Sequence, residues 1–153
     1  MKNLKNIILL IGLVEIARAD SKEKRISNKW LKVLLLLRIL LFLGEINRQI
    51  SDFESNLIGV VSGVFVGGGI FFAGYCLSKK GLGAGDVKLM AVVGSYLGSD
   101  NVLRAAVFSV SYVSGYFLWK LLKEKESEQT QTAFAPFVLA GVITELMMND
   151  GIL

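Results

Sequence analysis

The stretch from Ser55 to Ser78, SNLIGVVSGVFVGGGIFFAGYCLS, runs for 24 residues without a charged side chain. At about 1.5 Å of rise per residue, a helix of that length matches the roughly 30 Å hydrocarbon core of a bilayer. Weaker apolar stretches flank it at Leu4 to Ala19, Trp30 to Ile46, Val87 to Ser99, Val102 to Leu122 and Ala133 to Met148. Together they predict an all-α, polytopic membrane protein of about six transmembrane helices, with residues 1–153 forming a single transmembrane domain. Composition agrees: 53% of the residues are hydrophobic and the mean hydropathy is +0.56, where soluble domains carry about 45–50% apolar residues.

Set in from the ends of the weaker stretches, three charges interrupt the apolar run: Glu15, Arg38 and Glu145. A charge at mid-bilayer costs at least about 2.5–3.5 kcal/mol on insertion scales. Pairing inside a bundle, with Arg38 against Glu15 or Glu145, and snorkelling to the interface both account for these residues. Short polar loops join the stretches, so the chain runs up and down. The first, third and fifth loops, with the adjoining helix ends, hold Arg18, Lys22, Lys24, Arg25, Lys29, Lys32, Lys79, Lys80, Lys88, Lys120, Lys123 and Lys125. Only Lys2, Lys5, Arg38, Arg48 and Arg104 lie elsewhere. By the positive-inside rule the odd-numbered loops face the cytoplasm and both termini face out. That asymmetry explains the net charge of +4 without a nucleic-acid partner. Lys2 and Lys5 also resemble the basic start of a signal peptide, but no clean small-residue cleavage site follows and a retained helix is expected. Glycines at four-residue spacing, Gly59, Gly63 and Gly67, then Gly94 and Gly98, are expected to let helix backbones approach closely.

The chain has no histidine and one cysteine, Cys76. That excludes Ser-His-Asp and Cys-His triads, imidazole zinc sites and an intrachain disulfide. No metal or cofactor is expected, and acid–base work falls to carboxylates. Two stand out. Asp86 follows glycines 81, 83 and 85 in GLGAGDVKLM, residues 81–90, where a helix resumes; Asp20 closes the first apolar stretch. The up-and-down topology puts both at the cytoplasmic face. Plain structural roles are open to each: a helix cap for Asp86, a solvated loop acid for Asp20, and a lipid phosphate for Lys88 to reach. If the two aspartates meet, they cannot both ionise readily. One would keep a proton and stabilise a developing oxyanion, while the other activates water against a peptide carbonyl.

At these residues the chain resembles the type IV prepilin peptidase family, membrane aspartyl proteases of the GxGD kind. Asp20, Arg25, Ile26 and Asn28 match that family's first motif, and Gly83, Gly85, Asp86, Lys88 and Leu89 its second. Ala133 to Phe137, AFAPF, looks like its Pro-Phe-x-Pro-Phe start of the last helix. Ser27 and Ala133 stand where the family usually has proline. The resemblance implies a short, peptidase-only form without the cysteine-rich methyltransferase domain. It implies catalysis by Asp20 and Asp86, with Gly83, Gly85 and Lys88 near the substrate. It implies removal of the short basic leader of a type IV prepilin or pseudopilin at the inner face of a bacterial or archaeal cytoplasmic membrane, serving pilus assembly or protein secretion. A non-catalytic pilus or secretion scaffold, or a small transporter subunit using Glu15, Arg38 and Glu145, is the alternative. The sequence leaves the oligomeric state open.

Overall fold

The computed structural model describes residues 2–48, 53–77, 82–123 and 132–149. Gly81, Lys79, Lys80 and Lys125 of the sequence analysis lie outside them. The described residues form six α-helices: α1 (Lys2–Glu23), α2 (Asn28–Arg48), α3 (Phe53–Leu77), α4 (Ala84–Leu97), α5 (Ser99–Lys123) and α6 (Ala135–Asn149). Each contains or overlaps one of the six apolar stretches. Two of them, α3 and α5, are long and apolar enough to cross a membrane by themselves; α6 is apolar but short. Charged residues dilute α1 and α2, and α4 has only 14 residues.

Helix α4 lies at the centre, packed on α1, α2, α3 and α5, while α6 joins α5 to α1. Leu89, Met90 and Val93 of α4 are fully buried against Leu9, Leu13 and Ile16 of α1 and Val102 of α5. The outward faces are apolar too: Leu36 and Leu40 of α2, Phe65 and Phe72 of α3, and Leu118 and Trp119 of α5 are all exposed. Such a surface suits lipid rather than water.

Close helix crossings depend on glycine. An added Cβ on Gly63 would overlap the Gly94 carbonyl, one on Gly94 would overlap that of Gly63, and one on Gly67 would lie 2.5 Å from the Met90 oxygen. Thus α3 and α4 meet backbone to backbone, as expected. Gly59 differs, because an added Cβ there has no neighbour within 4 Å. A further crossing, missed in the sequence, sets Gly141 of α6 against Ala105 and Ser109 of α5.

The charges that interrupt the apolar stretches find other partners than expected. Arg38 is buried; its Nε donates to the Ser95 carbonyl at 2.7 Å and its guanidinium lies 3.4 Å from Glu45. Lys5 completes the cluster at 2.8 Å from Glu45. Glu45 lies seven residues, two helical turns, beyond Arg38 on one face of α2, so it reaches the guanidinium where Glu15 and Glu145 do not. Glu15 pairs with Arg18 at 2.8 Å, and the buried Glu145 lies 3.5 Å from Arg104.

Candidate active site

Three helix ends converge at one end of the bundle: the last turn of α1, the first turn of α4 and the first turn of α6. Helix α1 closes with Lys24 at φ 49°, its N–H donating to the Asp20 carbonyl at 2.8 Å. That turn leaves the Asp20 side chain pointing inward, 4% exposed. Its Oδ2 accepts a hydrogen bond from the Ala135 N–H at 3.0 Å. Ala135 is the first residue of α6, so the carboxylate satisfies a backbone donor that the helix itself leaves unpaired, at the positive end of its dipole.

Asp86 sits in the first turn of α4, just ahead of the apolar segment that begins at Val87. Its N–H donates to the Gly83 carbonyl at 3.0 Å, and its Oδ2 accepts from the Gly83 N–H at 3.0 Å. The carboxylate thus folds back on its own helix start, half of a capping box. Burial pushes the Asp86 carboxyl above the usual aspartate range; the Gly83 hydrogen bond opposes this, and the negative charge of Asp20 adds to the rise. The two aspartates therefore feel one another across the site. Among the described residues no three of His, Cys, Asp and Glu gather into a metal-binding group.

The glycines of the loop have separable reasons. Gly83 has ordinary extended dihedrals, φ −84° and ψ 147°, but an added Cβ would lie 3.3 Å from Asp86 Oδ2. At Gly85 it would lie 3.1 Å from the Ile26 Cβ. Ile26 belongs to the short α1–α2 connection, which thereby packs onto the first turn of α4 and brings the two aspartate-bearing segments together. Lys88 is exposed on α4 and has no hydrogen bond or ion pair among the described residues.

Two participants are not marked in the sequence. Ile26 stands in the first motif, but its contact with Gly85 has no sequence signature. The Ala135 N–H is a backbone group. Its one sequence signal is the adjoining Pro136, a residue favoured in the first turn of helices.

Residues 7–120 match the model of the type IV leader peptidase family, and the chain belongs to that family. It is a membrane-associated, helical member. Among curated proteins it is similar to a prepilin leader peptidase/N-methyltransferase of Bacillus subtilis (strain 168), 28% identical over 148 residues, covering 96% of this chain and 56% of the relative. It is also similar to one of Pectobacterium carotovorum subsp. carotovorum, 27% identical over 147 residues, covering 94% of this chain and 50% of the relative. The chain spans about half the length of the curated relatives it matches. No solved structure matches it.

Proposed function

We infer that the chain is an aspartyl endopeptidase that removes the short basic leader of a type IV prepilin or pseudopilin at the cytoplasmic face of the membrane. What supports this is the placement of Asp20 and Asp86 on helix ends that pack together through Ile26 and Gly85, with the charge of Asp20 adding to the rise of the Asp86 carboxyl. In this reading all six helices cross the bilayer, the short α4 screened by its longer neighbours. The odd-numbered loops, with their basic residues, face the cytoplasm.

Asp86 keeps the shared proton, because burial and its neighbour's charge both favour the neutral form. Asp20 accepts a proton from water as that water attacks the scissile carbonyl; Asp86 donates to the developing oxyanion. Gly83, exposed at the start of α4, has no side chain to keep an extended cleavage segment away, and Gly85 lets the turn close on Ile26. Lys88 reaches a lipid phosphate. No observation favours a transporter: Glu15, Arg38 and Glu145 pair with three different partners and do not form one path.

The test is co-expression with a prepilin bearing a short basic leader, comparing wild type, Asp20→Asn and Asp86→Asn at matched membrane levels. Leader removal by the wild type and by neither variant is the expected result. Cleavage by either variant overturns the assignment.

A further inference from the structure

The segment Ala133 to Phe137 has no role in the chemistry above, yet it touches the site at its most buried point. A helix start leaves its first N–H groups without intrahelical acceptors. In α6 those donors are nearly all accounted for. The Phe137 and Val138 N–H groups donate to the Phe134 carbonyl at 3.0 and 3.2 Å. Pro136 has no N–H to give. One outward donor remains, the Ala135 N–H, and it goes to Asp20 Oδ2 at 3.0 Å. Among the described residues nothing else hydrogen-bonds that carboxylate, so Oδ1 is left for a reacting group.

The donor is rigidly placed. Phe134 stacks at an angle on Phe71 of α3, ring centroids 5.6 Å apart, and Phe137 does the same on Tyr116 of α5 at 5.5 Å. Ala135 between them is fully buried. Two aromatic anchors fix the turn to two other helices, an alanine supplies one hydrogen bond, and a proline withholds the next.

We propose that the first turn of α6 is a positioning element for Asp20: the Ala135 N–H fixes one carboxylate oxygen, and Pro136, by lacking an N–H, keeps the other oxygen unoccupied for the attacking water. This rests on the aspartyl peptidase reading. It gives Ala135 and Pro136 opposite effects. Pro136→Ala adds a donor beside Asp20, which favours the charged carboxylate and competes with water. Ala135→Pro removes the donor at a helix position where proline is tolerated, which disfavours the charged form.

The experiment measures kcat and KM against pH for the purified full chain in lipid nanodiscs, with a fluorogenic prepilin peptide. Pro136→Ala is expected to lower kcat roughly tenfold or more, with KM unchanged, and to move the acid limb of kcat to lower pH. Ala135→Pro is expected to lower kcat and move that limb to higher pH. Ile143→Ala, on the exposed face of α6, leaves both limbs in place. If Ala135→Pro does not fold, Pro136→Ala alone decides the matter. Acid limbs that stay at the wild-type pH, with Asp20→Asn inactive, overturn the positioning role and leave the peptidase reading standing. Cleavage by Asp20→Asn, or none by the wild type, overturns both.

Discussion

Replacing Gly94 by alanine tests whether helix packing positions the site. A Cβ at this position would lie 2.6 Å from the carbonyl carbon of Gly63 and closer still to its oxygen. Carbon atoms pack best at about 3.5–4.0 Å, so the added methyl falls short by about 1 Å. Both partners are backbone, and neither can rotate away. Helices α3 and α4 must separate, and overpacking of this kind costs about 1–3 kcal/mol. Because α4 carries Asp86 in its first turn, displacement by about 1 Å also predicts a loss of cleavage on the order of 100-fold. Gly59→Ala is the matched control: nothing lies within 4 Å of its added Cβ, and alanine is favoured over glycine in a helix by about 1 kcal/mol. Thermal unfolding in detergent and leader cleavage at matched membrane levels read the two effects. A Gly94→Ala protein with wild-type unfolding temperature and cleavage rate, or a Gly59→Ala protein damaged as severely, would refute the packing account.

Further expectations concern single groups. The folded protein holds the Asp86 proton to higher pH than the unfolded chain does, so this group costs stability as pH rises from the ordinary aspartate range through its raised value. Asp86→Asn removes that cost. Its unfolding temperature is expected to exceed wild type at neutral pH and to converge on it below pH about 4, and a constant difference across that range would contradict the assignment. Arg38→Ala strips the part-buried Glu45 of one of its two partners and the Ser95 carbonyl of its donor, a loss of about 1–3 kcal/mol readable by denaturation. Arg38→Lys is expected to recover little, since lysine lacks the fork that reaches both groups. Gly85→Val pushes on Ile26 and is expected to reduce cleavage; Ile26→Ala in the same chain removes the methyl groups it meets and restores part of the activity.

The six helices were legible because charge and apolarity alternate along the chain on the scale of a membrane span. The shared end of Asp20 and Asp86 was legible for a related reason: an up-and-down topology with short loops fixes which helix ends face the same way. Partners across the bundle were not. Whether Arg38 meets Glu45 or Glu145 depends on how each helix is rotated about its axis, and stretches that are apolar on their exposed as well as their buried faces blur that phase. Gly59 and Gly63 look alike in sequence, yet only Gly63 lies at the crossing, because the position of the crossing is set by α4. The Ala135 N–H has no residue identity to betray it. Only the conformation of the α6 start singles it out.

The proposed shared-proton chemistry of Asp20 and Asp86 is tested most directly by the pH dependence of single-turnover leader cleavage, with the purified protein in excess over the prepilin peptide. That proposal needs one aspartate ionised and the other protonated, so the rate is expected to fall on both sides of an optimum. The alkaline limb should lie above the ordinary aspartate range, because burial and the charge of Asp20 raise Asp86. A rate that stays flat through the carboxylate range, with chemistry as the slow step, would contradict the dyad.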